Sequence, residues 1–233
     1  MKVSTLGFML LVFIASSCHS YKRQITKDYY KHARSHRLIA VVPFDITVKG
    51  KTTRELTPDE INTLILEESE LYQQSLYSEL LRRSGNNDKD IQVSIQDTRS
   101  TNRLLSEAGI DGLSISDYTA RQLGEVLGVD AIVSVQLIKE KFLNREMAMA
   151  AEILRETARN SPISIPTTVA VNSSKLTRSS KVDMYSYVLD VDTETALWQY
   201  NFEYDLSWDV DPDDAIEKIN ARIARRFPYR NQD

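Results

Sequence analysis

The sequence predicts an α/β fold: a single mixed sheet flanked by helices, with a C-terminal β-hairpin and helix and a helical plus Ser/Thr-rich insertion. Three observations carry this. "LIAVVPFDITV" (38–48) is a β-branched apolar run of the kind that forms a buried strand. "SISDYTARQLGEVLGVDAIVSVQLIKEKF" (114–142) joins an amphipathic helix to a strand through Gly128, the tight helix–strand unit of α/β layering. From Ala196 the chain alternates strictly: Trp198, Tyr200, Phe202, Tyr204, Leu206 and Trp208 share one side with Ala196. Leu197, Gln199, Asn201, Glu203 and Asp205 take the other.

The first eighteen residues read as an address. Lys2 precedes an apolar stretch from Val3 to Ile14, too short for a spanning helix of about 20 residues and suited to a secretory signal. Ala15, Ser16 and Ser17 then lead to Cys18, the single cysteine of 233 residues. An ordinary signal needs small residues at its cut but no thiol. The stretch resembles a bacterial lipobox, in which that thiol is acylated and becomes the first mature residue; Ala15 stands where Leu is commonest. The expectation is a signal peptide over 1–17 and fatty acyl chains on Cys18, which together anchor durably. His19 follows the cysteine where inner-membrane retention would have Asp. By resemblance to sorted lipoproteins, the expected location is the outer membrane, periplasmic face.

Residues 18–37 are expected to form a lipidated basic tether. "HSYKRQITKDYYKHARSHR" carries six Lys or Arg against one Asp, and reads as a solvated spacer or as a segment lying on lipid headgroups. The domain is expected to span 38–229. The strand at 38–48 should end or bulge at Pro43. "VKGKTT" is not a phosphate loop, because Asp45 stands where the first glycine belongs. "TPDE" (57–60) opens a helix to about Arg83 with Ile61, Leu64, Ile65, Leu76 and Leu80 as its buried stripe, stopped by Gly85. A short strand at 91–95 and a helix at 98–108 follow. Ser116 is expected to cap the next helix, Gly128 to end it, and the strand from Val129 to pair into the sheet.

Beyond Lys141 the character changes. "NREMAMAAEILRETARN" (144–160) is a strong helix former, and 161–180 holds nine Ser or Thr and two prolines. The stretch 142–180 reads as an insertion between two strands, with Met147, Ala151 and Leu154 on its principal apolar side as the expected contact residues. In the last helix, Asp211 caps, Pro212 takes the first position, and Ile216, Ile219, Ile223 and Phe227 form the buried stripe. The acids at 209–214 lack the spacing and central glycine of a calcium loop. Asp190, Asp192 and Glu194 read as turn formers.

Composition excludes much. A net charge of −4 gives no case for nucleic acid. His19, His32 and His36 all precede residue 37, so a fold beginning at 38 has no Ser-His-Asp, Cys-His or His-ligated metal site. The expectation is no catalytic residues, no metal, no cofactor and no enzymatic activity.

"LIAVVPFD", "LGEVLGVDAIVSVQL" and "DVDTETALWQYNFEY" resemble the α/β domain of a group of bacterial envelope proteins. These are the curli-secretion channel lipoproteins, the TolB amino-terminal domain and the lipoprotein activators of penicillin-binding proteins. The likeness covers about 38–141 and 181–228. It implies a non-enzymatic domain that binds or assembles with another envelope component. In the channel proteins, segments between strands become barrel hairpins. Here only Ile163 to Val171 alternates like a strand, so a homo-oligomeric assembly or secretion pore stands as the alternative.

Overall fold

The structure, a computed structural model, describes residues 21–49, 57–85, 87, 90–141, 178–207 and 212–229. They form one open mixed sheet of seven strands with five α-helices: β1 (Lys22–Ile25), α1 (Tyr29–Ala33), β2 (Leu38–Val41), β3 (Asp45–Lys49), α2 (Pro58–Leu81), β4 (Ser94–Ile95), α3 (Thr98–Glu107), α4 (Ala120–Leu127), β5 (Ala131–Lys141), β6 (Arg178–Asp190), β7 (Ala196–Ser207) and α5 (Pro212–Arg226). The strand order is β1-β7-β6-β5-β2-β4, and β3 also pairs with β5. β1–β7, β7–β6 and β6–β5 pair antiparallel; β2 and β3 join β5 in parallel, and β4 joins β2 in parallel.

The strand expected at 38–48 is two strands on one partner. Val41 lies opposite Val133 and Asp45 opposite Gln136, so residues 42–44 face only two residues of β5. That is a bulge centred on Pro43, whose missing N–H cannot serve the ladder. A bulge leaves backbone groups to be satisfied elsewhere. Helix α2 supplies the donors: Gln73 Nε2 reaches the Val41 carbonyl at 2.8 Å and Ser69 Oγ reaches that of Phe44 at 2.7 Å. This corrects the expected stripe of α2. Leu76 and Leu80 are fully buried, whereas Leu64 is 51% exposed and Ser69, Tyr72 and Gln73 take the inner face.

One face of the sheet packs on α2 and α5. Trp198, Tyr200 and Phe202 of β7 meet Val133, Val135 and Leu137 of β5, Leu76 and Leu80 of α2, and Ile219, Ile223 and Phe227 of α5 in one core cluster. The alternation from Ala196 thus places its aromatic side under helices, as periodicity predicts. Asn220 Nδ2 donates to the Tyr72 carbonyl at 3.0 Å and ties the two helices. On the other face, Ala40, Val42 and Ile132 pack with Leu105, Leu123 and Leu127 of α3 and α4. Gly124 lets α4 sit flush on the hairpin, because a Cβ there would collide with the Val191 side chain.

Helix α4 starts later than Ser116. Residues 115–117 are a 3₁₀ turn, and Thr119 forms the capping box, its Oγ1 accepting from Gln122 N while Gln122 Oε1 accepts from Thr119 N. Gly128 closes the helix in the left-handed region at φ 67°.

The largest correction concerns the expected tether. Residues 22–25 extend the sheet, with Lys22 opposite Asn201 and Ile25 opposite Trp198, and residues 29–33 form a helix whose Tyr29 is buried. Basic residues were read as solvated, but Ile25, Tyr29 and Ala33 between them supply the apolar contacts that dock this segment.

Candidate functional site

Cys18, Met147, Ala151 and Leu154 lie outside the described residues. The structure does fix where their segments join. The chain enters β1 opposite Asn201 and runs toward Trp198, so its entry points to the end of the sheet where β7 finishes. Residues 142–177 join the same end, from Lys141 of β5 to Arg178 of β6, with Lys141 opposite Ser180 and Arg178 opposite Ser207.

The most chemically provided cluster in the described residues is one that the sequence reading missed. His36 precedes β2 by two residues and its side chain is 3% exposed. Its Nε2–H donates to Asp190 Oδ1 at 2.7 Å, and its Nδ1 lies 2.6 Å from the Tyr229 hydroxyl. Asp190 ends β6; its second oxygen accepts from the Thr193 amide at 2.8 Å and from the Thr193 hydroxyl, which shapes the hairpin turn. His32 Nδ1 stands 4.0 Å from the same oxygen. The Tyr229 amide in turn donates to the Tyr29 hydroxyl at 2.6 Å. Nearby, Asp130 Oδ2 accepts from the amides of Arg37 and Leu38 at 2.6 and 2.9 Å and aligns the start of β2.

Burial works against the Asp190 carboxylate, yet the Thr193 hydroxyl and amide and then His36 outweigh it and hold the group below the ordinary carboxylate range. Burial pushes Tyr29 up to about 12 and pushes Tyr229 well above its ordinary value. Both phenols therefore stay neutral as hydrogen-bonding groups.

The histidines thus belong partly to the folded region, which corrects the expectation that the fold holds none. The second nitrogen of His36 meets a phenol, so both ring nitrogens are occupied by Asp190 and Tyr229. Asp190, His36 and Tyr229 saturate one another away from solvent. Two shallow grooves of about 290 and 380 Å³ lie elsewhere, one between Leu71, Ser78 and Ile216, the other between Ile110, Tyr118 and Val126. The cluster is a clasp joining three regions distant in sequence. Of its members only Tyr29, an aromatic inside a basic stretch, carried a local sign of burial.

No family model matches the chain, and no curated protein matches it. Solved structures similar to it include the PelC dodecamer from Paraburkholderia phytofirmans, at 7% identity and a TM-score of 0.42, covering 89% of this chain and 97% of that one. Lipoprotein GNA1162 from Neisseria meningitidis is similar at 10% identity and 0.42, covering 82% and 96%. The LpoB C-terminal domain from Salmonella enterica is similar at 9% identity and 0.35, covering 76% and 93%.

Proposed function

We propose that the protein is a lipid-anchored, periplasm-facing outer-membrane component whose α/β domain is a non-enzymatic binding or assembly module for another envelope component. The observation that carries this is Cys18, set directly behind the apolar run and the small residues 15–17. The buried clasp supports the non-enzymatic part, because its polar groups serve the fold and turn no reactive group toward solvent. β6 begins at Arg178, so the insertion closes at 177 and not at the expected 180; it is the contact element in this reading, with Met147, Ala151 and Leu154 supplying its apolar side. Cys18→Ala should leave an unprocessed precursor that takes up no labelled fatty acid; normal labelling of that variant would end the anchor reading. Crosslinking in intact envelopes should capture one recurring partner, and capture should vanish when 144–177 is replaced by a short Gly-Ser turn that leaves β6 whole. Unchanged capture would move the contact off the insertion.

A further inference from the structure

Segment 21–37 leaves its cations on the surface. Lys22, Arg23, Lys27, Lys31 and Arg34 are exposed, and among the described residues none of them makes an ion pair. Asp28 is the one acid between residues 21 and 37, while the whole chain carries −4, so positive charge is concentrated here against the overall balance. The last turn of α5 adds to it. That helix is acidic at its start, with Asp213 and Asp214, and basic at its end, with Arg225 and Arg226. The Arg226 guanidinium lies 5.5 Å from the centre of the Tyr21 ring, which brings the basic end of α5 to the mouth of β1. Asp190 is engaged in the clasp, and Glu203 pairs with Lys181 at 3.2 Å.

Two of the large exposed side chains of the described residues are tyrosines of this same segment, Tyr21 at 54% and Tyr30 at 46%. Tyrosine has an apolar ring and a polar tip, the combination that settles at a bilayer interface. The distance is also fixed. Four residue steps separate Cys18 from Lys22 and span at most about 14 Å. A charge so tethered stays within one or two Debye lengths of the surface, about 8 Å each at physiological salt.

We infer that the edge formed by β1, α1 and the end of α5 docks on anionic phospholipid headgroups, so that the domain lies against the bilayer in a fixed orientation. This rests on the anchor reading above and gives it a geometry. The sheet end that receives residues 142–177 is then the end toward which the anchored chain points, and the α3–α4 side is turned away. The partner is a lipid surface: the patch is cationic, carries two exposed tyrosines and lies within a few residues of the anchor. Each cation near an anionic leaflet changes partition by about fivefold.

The test uses the chain from residue 19, which keeps every described element and lacks the acyl site. Flotation with vesicles of phosphatidylcholine containing 30 mol% phosphatidylglycerol should recover it at about 0.05 M salt, and pure phosphatidylcholine should not. Arg23→Glu/Lys31→Glu should lose at least tenfold in partition. Arg99→Glu/Arg103→Glu on α3, with the same change in net charge, should lose much less. Equal losses, or no preference for anionic vesicles, would overturn the inference. So would displacement from the vesicles by a stoichiometric amount of short single-stranded DNA, which would assign the edge to a polyanion. Unchanged thermal midpoints exclude unfolding as the cause. Fatty-acid labelling of the full chain decides the anchor separately: label with indifferent vesicle binding sinks the docking edge alone, whereas vesicle preference without label sinks the anchor alone.

Discussion

The C-terminal hairpin and the segment 21–37 lie side by side in one sheet, held by different chemistry. β6 pairs with β5 from Ala131 opposite Asp190 to Lys141 opposite Ser180, and β7 buries Trp198, Tyr200 and Phe202 under α2 and α5. β1 adds four paired residues, exposed except for a half-buried Ile25, and the small apolar contact of Ile25, Tyr29 and Ala33 is completed by the polar clasp of His36, Asp190, Tyr229 and Tyr29. Apolar burial is non-directional and indifferent to pH. A buried polar clasp is directional, and removing one member strands the others. The first should therefore fail only with the whole fold, and the second should let go by itself.

The largest effect tests the apolar side. Trp198 is fully buried at the centre of the aromatic face. Trp198→Ala should cost about 3–5 kcal/mol and lower the single melting transition of the whole molecule. Trp198→Phe should cost much less, since among the described residues the indole N–H has no partner to lose. Loss confined to β6 and β7, with α3 and α4 still protected in hydrogen exchange, would show that the sheet is not one cooperative unit.

His36→Leu comes next. It leaves the Tyr229 hydroxyl and one oxygen of Asp190 without their partner, at about 1–3 kcal/mol. Amides of 21–35 should exchange several-fold faster while those of β5 and β6 keep their protection. Uniform loss of protection across the sheet would remove the distinction drawn here.

Much of this fold was legible in advance because periodicity reports burial. The aromatic alternation of β7, the stripe of α5 and the Gly128 stop all follow from one local rule each. The clasp was not legible, because its members stand at residues 29, 36, 190 and 229 and nothing local marks a histidine that will find an aspartate 154 positions away. The inward Ser69 and Gln73 of α2 were hidden for a related reason: they are polar residues on a buried face, needed only because Pro43 opens a bulge on the strand opposite.

Acid should sharpen the same contrast. The folded Asp190 carboxyl sits below the ordinary carboxylate range, about 3.9, so its contribution is fully present above about pH 5 and is lost as pH falls through the folded value. His32, His36, Thr193 and, through His36, Tyr229 face it from α1, the approach to β2, the turn and the C-terminal end. As pH falls below the ordinary carboxylate value of about 4, segment 21–37 should gain exchange before β5 does. Asp190→Asn should flatten that limb, and an unchanged acid limb in the variant would assign it to another carboxylate.

The smallest effect lies on the opposite face of the sheet, where α4 is positioned by its cap. Thr119 Oγ1 accepts from Gln122 N at 3.3 Å, and Gln122 Oε1 accepts from Thr119 N at 2.9 Å. The Thr119 hydroxyl is also the leading influence that holds the exposed Glu194 carboxyl below its usual range. Glu194 has φ 55°, so the turn that contains it is backbone-strained and benefits from being held. Thr119→Ala removes the cap acceptor and the link to the turn together; the lost cap costs about 1 kcal/mol. Thr119→Ser should recover most of it. Ser116→Ala should be nearly silent, since Ser116 sits in the preceding 3₁₀ turn and not at the helix start. Equal shifts from the two alanine variants would return the cap to Ser116. Unlike His36→Leu, neither change removes a member of the clasp, so exchange in residues 21–37 should change far less, even though α4 meets the Asp190 turn at Val191.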